Sequence, residues 1–135
     1  MHVTEGDSLS GCVSWFQQPA GGARGNSPTA AHYVIGPAGE IVQMVGDDMA
    51  CWHAGNYAVN LESIGIEVVG WTGKTVFPEV QLQAAARVVA ILCRKFGIPV
   101  DRAHVIGHSE VPRATHHDPG STWPWGDFMA MVAVG

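Results

Sequence analysis

The chain has little charge, no excess of basic residues and no long apolar run, and each deficit removes a class of function. Only 14% of its residues are charged and the formal net charge is −5, so no positive field exists to hold a nucleic-acid backbone or an anionic bilayer. Neither nucleic acid nor membrane is expected as a partner. Nowhere do about eighteen apolar residues run together, and the opening MHVTEGDSLSG carries neither a basic region followed by an apolar stretch nor a small-residue cleavage site. A membrane span and a signal peptide are therefore not expected, and the location stays open. Cysteine is scarce too. Cys12, Cys51 and Cys93 are odd in number, far apart and set among apolar neighbours, which argues against a disulfide framework or a CxxC metal clip and predicts buried, reduced thiols.

What is present is a globular core. Runs such as IGIEVVGW and AAARVVAILC belong to a chain that buries itself. No repeat or shift in composition divides it, so residues 1–135 are expected to form one domain. Leu9, Cys12, Val13 and Phe16 fall at helical spacing and predict a short amphipathic helix over Ser8–Gln18, stopped by Pro19 with Gly21 and Gly22. AAHYVI (30–35) and IVQMV (41–45), joined by GPAGE, predict a hairpin, and SIGIEVVGW (63–71) a further strand. From Pro78, the spacing of Val80, Leu82, Ala85, Val88, Val89, Leu92 and Phe96 predicts a helix that ends at Gly97 and Pro99, with Arg94 and Lys95 in its last turn. HVIG (104–107) predicts a short strand, and WPWGDFMAMVAV a turn followed by a short helix. Strands interleaved with helices imply a single α/β (α+β) layer domain, a central mixed β-sheet flanked by helices.

The chemistry concentrates in GHSEVPRATHHDPG, residues 107–120. His108 and Asp118 flank a loop that contains Pro112 and ends in Pro119-Gly120, so both side chains can face one point. An imidazole and a carboxylate are two of the three protein ligands that a catalytic zinc needs, the fourth position being left for water. Pattern alone does not rank His2, His32, His53 and His104 as the third, although His2 at the head of an edge strand could reach across a sheet. In SIGIEVV, Glu67 points away from the face of Ile64, Ile66 and Val68. It is either a solvated strand-edge residue or a carboxylate with a partner or a raised pKa, as at catalytic sites.

HVTEG, AHYVIGPAGEIVQMV, CWHAGN, NLESIGIE, GHSEVPRATHHDPG and WPW together resemble, in order and spacing and over nearly the whole chain, the zinc-dependent N-acetylmuramoyl-L-alanine amidases. These type-2 amidases share a superfamily with phage lysozyme-like amidases and peptidoglycan recognition proteins. The resemblance implies one catalytic Zn2+ on His2, His108 and Asp118, with Glu67 as general base. It implies that His116 stabilises the oxyanion where Lys is commoner, and that His53 and Asn60 lie around the substrate. The substrate implied is peptidoglycan or a muropeptide, cut at the amide between the lactyl group of N-acetylmuramic acid and L-alanine. The role implied is phage endolysin-like or bacterial, for a protein expected to be a monomer. Glu110 and His117 are then expected to be solvent-facing loop residues, and His32 and His104 packed or hydrogen-bonded strand residues.

One departure stands out against the family pattern. His2 directly follows Met1, so the first strand is cut short at the N-terminus; either the chain is a fragment or a neighbouring element supplies the missing pairing. Two other functions compete. A non-hydrolytic peptidoglycan-binding module on the same fold would lack a complete ligand set, and a structural zinc domain would show four protein ligands including cysteines.

Overall fold

The computed structural model describes residues 1–18 and 29–135; the helix stop expected at Pro19, Gly21 and Gly22 lies outside the described residues. Strands β1 (His2–Val3), β2 (Tyr33–Ile35), β3 (Ile41–Gln43) and β4 (Ile66–Val68) form one sheet in the order β1-β4-β2-β3. β1 and β2 run parallel to β4, and β3 closes an antiparallel hairpin with β2. The GPAGE turn makes the hairpin as expected, Gly36 N–H bonding Glu40 O at 2.8 Å and Gly39 N–H bonding Gly36 O at 3.0 Å.

The strands are shorter than the apolar patterns predicted. Pairing does continue beyond them as single bonds, His32 N–H to Gly65 O at 2.9 Å and Val69 N–H to Ile35 O at 2.9 Å, without completing a ladder. HVIG is not a strand at all. Asp101 Oδ1 accepts from the N–H groups of Ala103 and His104 at 2.9 and 3.0 Å, and this local bonding turns the chain instead of extending it. His104 is consequently an exposed turn residue, its Nδ1 2.7 Å from Asp101 Oδ1, and not the strand residue expected.

The end of that segment nevertheless holds the start of β1. Met1 N–H donates to Ile106 O at 2.7 Å, and His108 N–H donates to Met1 O at 3.1 Å. His2 is thus fixed on one side by β4 and on the other by the residues that lead into His108.

Register decides what each sheet face carries. Val3, Val68 and Ile35 are in line, as are His2, Glu67 and Val34, and side chains alternate between faces along a strand. The first row joins the core beneath α3 (Glu79–Phe96), and the second lies on the opposite face. α3 ends as predicted, Gly97 adopting φ 66° with its N–H on Cys93 O. Gln81 on α3 is fully buried and its amide donates to Ile35 O at 3.3 Å and Val69 O at 2.9 Å, pinning the ends of β2 and β4 to the helix. α4 (Trp125–Val134) packs on α3 through Phe128 and Val132.

On the other face, α1 (Leu9–Gln17) starts where Ser8 Oγ accepts from Gly11 N–H at 3.1 Å, and none of its residues is fully buried. The short α2 (Tyr57–Glu62) is capped by Asn56, whose Oδ1 accepts from Val59 N–H at 3.3 Å. Among the described residues, no helix is long and apolar enough to cross a membrane.

Candidate active site

The His2–Glu67 row opens into a cleft of about 850 Å³. His2 Nδ1 lies 3.1 Å from His108 Nδ1 and 3.2 Å from Asp118 Oδ2, and His108 Nδ1 lies 3.2 Å from Asp118 Oδ1. All three residues are buried. Metal bonds of about 2.0–2.1 Å at the tetrahedral angle set donor atoms about 3.3 Å apart, so this triangle has the edges of a zinc site with one face open. His108 donates Nε2–H to Ala54 O, 3.2 Å away, which leaves its Nδ1 as a bare lone pair when the ring is neutral. The donor set is two nitrogens and one carboxylate oxygen, and it fits a metal ion.

The charges agree with that. Burial pushes the His2 imidazole down to about 4, although Asp118 pulls the other way, so the ring is neutral at neutral pH, as a ligand must be. Burial pushes the Asp118 carboxyl up, but hydrogen bonds from the His108 and His2 rings hold it well below the usual carboxylate range in the metal-free chain, and a metal ion would take the place of those protons. A buried anion faced by neutral rings calls for a cation.

Glu67 stands beside His2 because β1 and β4 pair His2 with Glu67. Its Oε2 is sealed from solvent and has no hydrogen-bond partner among the described residues. Burial, and then the Asp118 charge, raise its carboxyl to about 8. It is therefore not the solvated strand-edge residue that was the alternative. Cys12 looks into the same cleft from α1, half-buried instead of buried as expected; burial and the Glu67 charge raise its thiol to about 12. It stays protonated and does not compete as a thiolate. Cys51 and Cys93 are buried and free.

The other expected residues fall around this centre. His116 is exposed at the cleft, its ring stacked on His108 at 4.5 Å between centroids. His53 also lines the cleft, with Nδ1 3.0 Å from His2 Nε2 and Nε2 3.2 Å from Ser63 Oγ. Asn60, expected around the substrate, lies beneath the cleft wall: it is 5% exposed, and its Oδ1 accepts from His53 N–H at 3.1 Å and Ala54 N–H at 2.8 Å. His32 is fully buried and occupied by Met49 O and Gly65 N–H.

The sequence pattern of the family described as N-acetylmuramoyl-L-alanine amidase matches residues 1–121. The chain belongs to this family. It is 29% identical to N-acetylmuramoyl-L-alanine amidase A of Achromobacter lyticus, over 100% of this chain and 82% of that protein. It is 36% identical to 1,6-anhydro-N-acetylmuramyl-L-alanine amidase AmpD of Salmonella typhimurium (strain LT2) over 78% of this chain, but it spans only 58% of that relative's length. The crystal structure of a Se-Met AmpD derivative superposes with a TM-score of 0.71 at 33% identity, covering 78% of this chain and 61% of that one. The fold expected, a mixed sheet flanked by helices, is thus that of the amidases.

Two parts of this amidase site escaped the sequence reading. Glu110 is exposed, as expected, yet its Oε2 accepts from Gly107 N–H at 2.7 Å and from Arg102 Nη2 at 2.6 Å, and the Arg102 guanidinium lies 3.3 Å over the Trp125 ring. This brace ties the start of α4 to the turn that carries His108, and its members are scattered through the sequence without a motif. Gly107 serves the same turn: a Cβ there would come within 2.6 Å of Pro119 Cδ, the residue after Asp118. Ser63, at the end of α2, gave no signal beyond its place before a strand.

Proposed function

We propose that residues 1–135 form one amidase catalytic domain that holds a zinc ion on His2, His108 and Asp118. It cleaves the amide between the lactyl group of N-acetylmuramic acid and L-alanine in peptidoglycan or muropeptides. The observation that carries this reading is the pairing of a three-donor triangle with a sealed, unpartnered carboxylate on one sheet face. That its relatives include N-acetylmuramoyl-L-alanine amidase A and the 1,6-anhydro-N-acetylmuramyl-L-alanine amidase AmpD supports the bond and the substrate class. A module that only bound peptidoglycan would have no use for the cost of burying Glu67 without a partner.

The chemistry that zinc supplies when bound is that of a Lewis acid, which acidifies water and polarises a carbonyl. The Glu67 carboxylate takes the proton from the attacking water and returns it to the leaving nitrogen, a role suited to a carboxyl raised toward neutrality. His116 donates to the carbonyl oxygen as negative charge builds on it. Asn60 holds the 53–54 segment that walls the cleft.

The test is metal analysis of the purified protein together with cleavage of purified muropeptides, before and after chelation and zinc restoration. About one zinc per chain and release of free stem peptide that follows the metal are expected. A metal-free protein that cleaves the amide equally well overturns the zinc assignment, and a zinc-loaded protein that binds muropeptide without cleaving it overturns the catalytic one.

A further inference from the structure

The two histidine ligands are oriented by different partners. His108 gives its Nε2–H to a main-chain carbonyl, whereas His2 reaches no carbonyl: its Nε2 meets another imidazole, His53 Nδ1, at 3.0 Å. Two facing imidazole nitrogens leave open which one carries the proton. The answer comes from Ser63. Its hydroxyl donates to Val59 O, a group that can only accept, and a hydroxyl has one proton to give. His53 Nε2, 3.2 Å from Ser63 Oγ, must therefore be the donor in that contact. A neutral His53 protonated at Nε2 is bare at Nδ1, so His2 donates its Nε2–H there and keeps Nδ1 bare toward His108 and Asp118. The reverse polarity would strip Val59 O of the hydroxyl and put the His2 proton on Nδ1, where it would block a metal.

The surroundings are built for this ring. Asn60 Oδ1 accepts from the main-chain N–H of His53 itself. Gly65 leaves the space the ring fills, since a Cβ there would come within 2.4 Å of His53 Cγ. We propose that Ser63 and His53 act as a positioning relay that fixes His2 in the tautomer with a bare Nδ1. The proposal rests on the metal site proposed above, and assigns His53 to the metal ligand and not only to the substrate. A buried partner of this kind fixes ring orientation and tautomer, and losing it typically weakens metal binding by about 10- to 100-fold.

Two conservative variants separate the relay from mere packing. In His53→Asn the amide oxygen takes the place of Nδ1 as acceptor for His2, whereas in His53→Gln the amide mimics Nε2 and leaves His2 without one. Zinc dissociation constants, measured by competition with a chromophoric chelator, should weaken by about 10- to 100-fold in His53→Gln and only a few-fold in His53→Asn. Ser63→Ala should fall between them. Long-range proton–nitrogen NMR of the zinc-loaded wild type should show His53 protonated at Nε2 and bare at Nδ1, and the Ser63→Ala protein a mixture of tautomers at His53. Zinc binding by His53→Gln at wild-type strength overturns the proposal, as does a zinc-loaded wild type whose His53 is protonated at Nδ1. A wild type that binds no zinc overturns the metal site itself, whereas a wild type that binds zinc no more tightly than His53→Gln overturns the relay alone.

Discussion

The groups at the centre of the cleft are held by two unlike means. His2 and Glu67 sit on paired strands, and their neighbourhood follows from sheet register, with Gln81 and the α3 core behind them. His108 and Asp118 sit on a loop outside the sheet, held by two main-chain bonds, His108 N–H to Met1 O and Ser109 N–H to Asp118 O, and by side chains: Glu110, Arg102 and Trp125 on one side of the turn, and the close approach of Gly107 to Pro119 on the other. The first half is placed by the backbone of the whole fold, the second by a few contacts, one of which is half exposed to water. Side-chain substitutions at the surface should therefore reach the site through the loop half and not through the strand half.

The largest effect expected comes from removing a loop ligand. Asp118→Ala or His108→Ala should strip most of the zinc and most of the activity while leaving the sheet, and so the far-ultraviolet circular dichroism, intact. Stoichiometric zinc retained by Asp118→Ala after mild chelation breaks the assignment.

Next in size is Glu67→Gln in the strand half, which should keep its zinc and lose roughly 10²- to 10⁴-fold in turnover, the usual worth of a positioned acid or base. The same substitution gives a pH signature in the metal-free protein. The Glu67 carboxyl is raised to about 8 from an ordinary value of 4.5, so between those pH values the folded state holds a proton that the unfolded state has released. Stability then falls as pH rises through that window. Glu67→Gln removes the slope, so its melting temperature relative to wild type should climb from pH 4.5 to pH 8 and level off above. A constant difference across the window would mean that Glu67 is not held in this environment.

A smaller effect tests the brace. Arg102→Ala removes a ring contact, a hydrogen bond to Val105 O and an ion pair that is about two-fifths exposed, worth together about 2 kcal/mol, or roughly 8 °C in melting temperature for a domain of this size. Zinc affinity should drop with it, by a few-fold, because the turn carrying His108 loosens. A matching drop on removing the Lys95–Asp47 ion pair, exposed only at its lysine and next to the sheet, would erase the contrast between the two halves.

The smallest change expected is in His116→Lys. A lysine there still offers an N–H donor to the carbonyl oxygen, so zinc and most activity should be kept, whereas His116→Ala should keep its zinc and lose turnover. Equal turnover in His116→Ala and wild type would move the oxyanion role to another residue.

The same contrast explains what could be read in the sequence. The α3 helix, the hairpin and the alternation that turns Glu67 from the Ile66 and Val68 face are local patterns, and they describe the strand half well. His108 and Asp118 were visible as a cluster, but what holds them was not. Arg102, Glu110 and Trp125 come from three segments, and each looks like an ordinary surface or core residue alone. HVIG misled because its apolar residues suit a strand, whereas the bonding that decides its shape comes from Asp101, upstream of the motif. Asn60 and Ser63 are polar residues on a six-residue helix, and only the folded chain shows that they serve His53.

His2 and His108 meet at 3.1 Å although 106 positions separate them in the chain. Any ion shared between them therefore closes a loop that takes in most of the chain, as a crosslink would. Unlike a disulfide, this link has almost no hold on the unfolded chain, where bringing its ends together carries the full entropy of loop closure. It forms only after β1 has docked between β4 and the segment before His108. A contact that arrives so late leaves the folding rate unchanged and shows itself in the rate of unfolding. Metal should thus act on this domain as a latch, moving the unfolding arm of a denaturant chevron and leaving the folding arm where it was.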